Sequence, residues 1–265
     1  GKTGIEYVYD EKLRGLFGKK IYEVDASGRL LQEKQMIPAV AGEDIFTSLD
    51  LPSQKVAYDE LNNRRGAVVA VDINDGSIVT YVSSPSFSVN KIANGLTQNE
   101  FDELINDDDK PFFDRAAQGR YSPASTIKPA IGLFGIDKDI LDWEYTIQDP
   151  GFFILPEDGR IYRGWKKGGH GEINLKDAII ESSNTFFFSL AYETEIEELR
   201  AHLSNFGFGK NVCDDCFMPD NGLLPSPRWK MNTHNFGWFK GDTVNVGVGQ
   251  GYICLLYTSP SPRDV

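Results

Sequence analysis

The feature that most constrains the fold is a strand pair at residues 66–82. Gly66-Ala67-Val68-Val69-Ala70-Val71-Asp72 is continuous, apolar and rich in β-branched residues. That is how a strand buried on both faces reads, so the segment is expected at the centre of a sheet. Asn74-Asp75-Gly76 supplies a tight turn, and Ser77-Ile78-Val79-Thr80-Tyr81-Val82 returns antiparallel. A helix should precede the pair, from about Pro52, with proline in its first turn, to Asn62. Apolar helical patterns follow it at 125–136 and at 175–204, the second read as two helices with a bend. Helix, hairpin and then a long helical region describe an α+β domain, an antiparallel sheet packed by helices.

The first fifty residues read as smaller pieces. Ile5 to Leu16 has helical spacing closed by Gly15 and Gly18. Lys20–Val24 and Leu30–Gln35 are extended runs joined across Ala26-Ser27-Gly28. Pro38 and Gly42 punctuate the exit, and Ile45 to Leu51 alternates as a strand would. Residues 1–44 are therefore expected to end a pedestal-like module, and 45–254 to form most of a larger domain. Residues 83–122 are polar, a surface excursion carrying one short helix near 98–105. After Cys254 comes Leu255-Leu-Tyr-Thr-Ser-Pro-Ser-Pro-Arg-Asp-Val265, whose alternating Ser and Pro cannot continue a buried helix. Residues 255–265 are expected to be a non-native tail.

A net charge of −12 excludes a nucleic-acid partner on the sequence reading, because phosphate binding needs a basic stripe. Asp107-Asp108-Asp109-Lys110 reads as a solvated loop. No apolar stretch reaches the ~20 residues that cross a bilayer. Cys213 and Cys216 form a single C-x-x-C, too few ligands for zinc, and read as a loop disulfide or a pair of plain thiols.

The chemistry centres on Tyr121-Ser-Pro-Ala-Ser125-Thr-Ile-Lys128-Pro-Ala-Ile-Gly132. A serine at a helix start lies beside free backbone N–H groups, and a lysine three residues on shares its face. A hydroxyl is a weak nucleophile until a neighbour accepts its proton, and a desolvated lysine can do so. Ser88-Val-Asn-Lys91 has the same spacing but sits in a polar loop and reads as coincidence. Ser125 is distinguished by Ser182-Ser183-Asn184, an S-x-N at a junction of two helices. There Ser182 could relay a proton, and Asn184 could hydrogen-bond Lys128 or a substrate amide.

S-x-x-K followed by S-x-N is similar to penicillin-binding proteins and class A β-lactamases. Longer stretches resemble the elongation-type class B penicillin-binding proteins, the penicillin-binding protein 2 group. They are Gly1-Lys-Thr-Gly-Ile-Glu6, Asp114-Arg-Ala-Ala-Gln-Gly-Arg-Tyr121, Trp165-Lys-Lys-Gly-Gly-His170-Gly171, Asn205-Phe-Gly-Phe-Gly209 and Gly241 to Tyr252. The resemblance implies a penicillin-binding/β-lactamase-like transpeptidase fold with part of a pedestal, incomplete at its C-terminus. It implies Ser125, Lys128, Ser182 and Asn184 as catalytic residues, with Thr126, His170 and Gln250 binding substrate. Ser125 would attack the D-Ala-D-Ala bond of a peptidoglycan stem peptide, an amine of a neighbouring stem would resolve the acyl-enzyme, and β-lactams would acylate the same serine. No cofactor is implied. Implied partners are stem peptides, lipid-linked glycan strands, a membrane glycan polymerase and elongation-complex proteins. The implied location is the periplasmic face of the bacterial inner membrane, with an anchor outside this chain.

The family's third motif, K-T-G, belongs on a strand well after S-x-N. Lys2-Thr3-Gly4 spells it in the wrong place and is taken as a decoy, so the chain as it stands is expected to be nearly inactive. Some members hold a structural metal with carboxylates and a thiol near His170. This chain offers Asp149 and His170 but has Gly164 and Ser183 where further ligands would stand, so His170 is expected to order its loop and no metal is expected. Competing readings are a β-lactamase or β-lactam sensor of the same fold, and a non-catalytic cell-wall scaffold.

Overall fold

A computed structural model describes residues 3–254 apart from Val212, Asp214 and Met218. Lys2 of the decoy motif and the tail at 255–265 lie outside the described residues.

The segment expected as one helix over 5–16 forms two, α1 (Gly4–Val8) and α2 (Asp10–Arg14), with Tyr9 between them. Neither buries a residue, so no packed face holds the turns together as one helix. β1 (Lys19–Val24) and β2 (Leu30–Ile37) pair antiparallel, from Lys19 against Ile37 to Val24 against Leu30.

The strand expected at 45–51 is absent. Asp50 instead caps α3 (Leu51–Leu61), its carboxylate accepting from the Ser53 N–H at 2.9 Å, with Pro52 in the first turn. That cap satisfies a donor which a strand would leave open, and the helix takes the residues from Leu51 onward. β3 (Gly66–Val71) and β4 (Ile78–Ser84) pair antiparallel, from Gly66 against Ser84 to Ala70 against Thr80. Among the described residues this sheet has two strands, and Val71 is 50 % exposed. The expectation of a sheet centre is therefore not met here. β4 buries Thr80, Val82 and Ser84 on one face, but no described strand covers the free edge of β3.

The polar excursion contains α4 (Val89–Ala93), α5 (Gln98–Asn106) and α6 (Arg115–Gln118). α5 starts with a capping box between Thr97 and Glu100. A 3₁₀ turn over Ala124–Ile127 leads into α7 (Lys128–Asp137). Two nested antiparallel pairs follow. β5 (Thr146–Asp149) pairs with β8 (Gly171–Asn174), and between them β6 (Phe152–Ile154) pairs with β7 (Ile161–Arg163).

Residues 175–204 hold three helices rather than two: α8 (Leu175–Ile180), α9 (Asn184–Tyr192) and α10 (Ile196–Asn205). The chain completes with α11 (Pro227–His234) and α12 (Lys240–Val246). α9 is the hub. Thr185, Phe186, Phe187, Phe188, Leu190 and Ala191 are all buried, the apolar-all-round pattern of an interior helix. Ile131 and Phe134 of α7, Leu199 and Leu203 of α10, and Val244 and Val246 of α12 join it in one core. A Cβ added at Gly247 would stand 2.3 Å from the Ala191 Cβ, so the end of α12 meets α9 at backbone distance. The hub fixes the residues at its own N-terminus, Ser182 to Asn184, against the start of α7.

Candidate active site

Ser125 is exposed in the 3₁₀ turn, and Lys128, three residues on, opens α7 with only 1 % of its surface exposed. Lys128 Nζ donates to Ser182 O at 2.8 Å, Ser182 Oγ at 3.1 Å and Asn184 Oδ1 at 2.7 Å. It also lies 5.4 Å above the centre of the Phe187 ring. Both ends of the S-x-N motif therefore converge on the lysine, as the spacing led one to expect. Among the described residues no hydrogen bond joins the Ser125 and Lys128 side chains, and the ammonium spends its three protons on Ser182 and Asn184.

No carboxylate is among these partners, so no opposite charge offsets the cost of burying the ammonium. Burial holds the Lys128 pKa down to about 8 from 10.5. Loss of one proton leaves two donors and a lone pair on Nζ, the form able to accept a proton from a hydroxyl.

Two residues at this site adopt left-handed backbone without being glycine, Ala124 at φ +49° and Ser182 at φ +52°. Such conformations persist where their surroundings enforce them. The Ala124 N–H donates to Gly249 O at 2.9 Å, and a Cβ at Gly249 would stand 2.1 Å from Ala124 O. The Gly-Gln-Gly turn thus abuts the backbone just before Ser125. Among the described residues no backbone acceptor takes the Ser125 N–H, which leaves it open to an oxyanion. Thr126 is exposed beside it, its hydroxyl donating back to Pro123 O at 2.5 Å. Gln250 is half-buried, its N–H on Asn245 O at 3.0 Å.

His170 lies apart from this cluster, its side chain only 6 % exposed. Its Nδ1 meets Asp149 Oδ2 at 2.7 Å, and the same oxygen accepts from Ser183 Oγ at 2.7 Å. The Gly151 N–H donates to Asp149 Oδ1, also at 2.7 Å. Burial works to raise the Asp149 pKa, and the hydrogen bonds from His170, Ser183 and Gly151 outweigh it, holding the carboxyl below its ordinary value. The resemblance set Ser183, the middle residue of S-x-N, only where a metal ligand would stand, and its bond to Asp149 was not foreseen. It also caps α9, accepting from the Phe186 N–H at 3.2 Å.

A metal does not fit these residues. Asp149 is engaged by Gly151, His170 and Ser183, a hydroxyl stands where the family's thiol would be, and Gly164 has no side chain. The free His170 Nε2 is 3.9 Å from Glu181, a single exposed carboxylate. Among the described residues, the one set of three convergent donors is Cys213, Asp215 and Cys216, elsewhere in the chain. There the two cysteines are joined in a disulfide, with Cα atoms 5.5 Å apart, and offer no thiolate.

The second S-x-x-K behaves as a local cap. Ser88 Oγ accepts from the Lys91 N–H, both residues are exposed, and the helix they start has five residues.

Comparison with known proteins agrees with the geometry. Residues 66–260 match the model of the penicillin-binding protein transpeptidase domain, and residues 1–47 that of the penicillin-binding protein dimerisation domain. The first match runs past residue 254, into the segment expected to be foreign. The chain is 41% identical over 251 residues to the peptidoglycan D,D-transpeptidase MrdA of Acinetobacter baumannii, covering 95% of this chain and 37% of that protein. Against the MrdA of Escherichia coli K12 it is 36% identical over 252 residues, covering 95% and 40%. The chain thus spans about two-fifths of the length of these relatives. Pseudomonas aeruginosa PBP2, solved in complex with WCK 5153, superposes with a TM-score of 0.85 at 35% identity, covering 97% of this chain and 53% of that one. Helicobacter pylori PBP2, solved in complex with MreC, gives 0.86 at 32%, covering 97% and 48%. With both modules matched in order, and with S-x-x-K and S-x-N meeting at one buried lysine, the chain belongs to the class B penicillin-binding proteins of the penicillin-binding protein 2 group.

Proposed function

We propose that the protein is a serine D,D-transpeptidase that crosslinks peptidoglycan stem peptides. The observation that carries this reading is Lys128, buried without a counter-charge and held by Ser182 and Asn184 one turn from an exposed serine. Neutral Lys128 takes the Ser125 hydroxyl proton as Oγ attacks the penultimate D-Ala carbonyl. The tetrahedral oxyanion is met by the Ser125 N–H. As the C–N bond breaks, the proton passes by way of Ser182 to the departing D-Ala amine, leaving an ester on Ser125. An amine from a second stem attacks the ester, a new amide forms, and Ser125 recovers its proton. A β-lactam follows the same first half, its ring amide taking the place of the D-Ala-D-Ala bond.

Thr126 and Gln250, at the mouth of this turn, are proposed to contact the peptide. The burial of His170 favours a loop-ordering role for it over substrate contact. The similar proteins solved with MreC and in a peptidoglycan synthase complex support elongation-complex partners for this chain. A membrane glycan polymerase as partner and a position at the periplasmic face of the inner membrane are part of the same proposal and rest on the family resemblance alone. In a full-length protein carrying these residues, a fluorescent penicillin should label Ser125 and release slowly. Labelling that survives Ser125→Ala would reject the assignment, and rapid release would favour a β-lactamase.

A further inference from the structure

We infer that Asp149, His170 and Ser183 form a metal-free clasp that fixes the S-x-N turn from behind, making Asp149 and His170 positioning residues for Lys128. The inference rests on the transpeptidase reading for its kinetic arm.

Ser182 has a left-handed backbone that turns both its carbonyl and its hydroxyl toward Lys128. Its two neighbours are each tied to the 165–170 loop or to the strand beside it. On one side the Trp165 indole N–H donates to Glu181 O at 3.1 Å. On the other, the Ser183 hydroxyl turns away from Lys128 and donates to Asp149 at 2.7 Å. Asp149 ends β5 and His170 precedes β8, so the imidazole–carboxylate bond closes the β5–β8 pair at the point where the 150–170 excursion leaves and returns. The His170 N–H adds a backbone bond to Asp149 O at 3.1 Å.

The loop is shaped for this closure. A Cβ at Gly169 would stand 2.0 Å from Asp149 O, and one at Gly151 would stand 2.8 Å from the Gly169 N and from Lys166 O. Trp165 and His170 also stack edge to face, with ring centres 5.7 Å apart. One carboxylate oxygen thus ties the helix cap of α9 to the imidazole at the base of the loop. Relatives that hold a metal here would tie the same elements by coordination. This chain, with Gly164 and Ser183, ties them by hydrogen bonds.

The test is made on the full-length protein carrying these residues, with Asp149→Asn and the milder His170→Gln. Wild type should purify with substoichiometric metal and show the same melting temperature with and without a chelator. Each variant should acylate more slowly by up to about 100-fold, the cost of displacing a reacting group by about 1 Å. The loss should fall on the acylation step, with the noncovalent affinity for the β-lactam unchanged. Stoichiometric metal together with chelator sensitivity would overturn the clasp, as would variants that acylate at the wild-type rate. Unfolding of both variants would also overturn it, since a fold-wide role would replace a positioning one. A wild-type protein that no penicillin labels would reject the transpeptidase reading instead, and the metal and chelator measurements would still decide the clasp.

Discussion

Replacing Asn184 by Asp should shift the pH dependence of acylation without removing any element of the fold. With its pKa at about 8, Lys128 is the free base in about one chain in eleven at neutral pH, against about one in three thousand for an ordinary lysine. The acylation rate of the wild-type protein should therefore rise close to tenfold per pH unit and level off near pH 8. Asn184 Oδ1 is 2.7 Å from Nζ and carries no net charge. An aspartate there sets an anion against the ammonium. At ~4 Å and an effective dielectric of about 20 the attraction is on the order of 4 kcal/mol. That is equivalent to about 3 pKa units, and the range expected for such pairs is about 1–3. The inflection should move upward by that amount, and acylation at neutral pH should fall by about 10–1000-fold. Rapid-mixing acylation with a fluorescent penicillin from about pH 6 to 10 measures the wild-type inflection and any shifted one within that range in a full-length protein. A larger shift shows as a rate that still climbs about tenfold per unit at about pH 10. Asn184 is also placed to touch substrate, so the rate alone is ambiguous and the inflection is the deciding quantity. A wild-type profile flat across pH 8, or an Asn184→Asp inflection that does not move, refutes the assignment of Lys128 as base.

Phe187→Ala removes a fully buried ring at the hub of the core and should cost about 3–5 kcal/mol, read from the midpoint of urea unfolding. Gly249→Ala drives a Cβ to 2.1 Å from Ala124 O at a residue with φ +69°. It should abolish acylation at Ser125 while the far-ultraviolet circular dichroism is retained. Opening the four-residue Cys213–Cys216 loop by a double change to serine should cost about 2 kcal/mol by loop-closure entropy, a difference in melting temperature that disappears in reductant.

The parts of the site legible in the sequence are those set by short-range spacing. Ser125 and Lys128 share a face because they are three residues apart at a helix start. Ser182 and Asn184 were found as a pair, and the structure brings both to the lysine. The partner of Lys128 was read less well, because its bond to Ser182 O depends on one left-handed residue that no periodicity announces. Ser183 was placed with Asp149 only through the family resemblance, as a ligand position. Its hydrogen bond to Asp149, 34 residues away, depends on the pairing of β5 with β8, which local spacing does not give. The fold divides in the same manner. Local signals located α3, α5 and the β3–β4 hairpin, whereas the alternation at 45–51 suggested a strand that the Asp50 cap overrode. Whether β3 lies at a sheet centre depends on strands supplied from elsewhere, which its own apolar run cannot specify.

The two left-handed residues explain why the site needs so much supporting structure. Each costs on the order of 1–2 kcal/mol in backbone energy, and neither Ala124 nor Ser182 recovers that locally. At Ala124 the recovery comes from the Gly249 carbonyl, which follows α12. At Ser182 it comes from Lys128 in front and from the bonds at Glu181 and Ser183 behind. The nucleophile turn and the S-x-N turn are therefore held by separate loops, both resting on α9. Lys128 is the member common to both turns, attached by backbone to the first and by hydrogen bonds to the second. On the transpeptidase reading, both glycine-rich loops therefore set the distance between the Ser125 hydroxyl and the Lys128 amine, on which proton transfer depends steeply, while touching none of the reacting atoms.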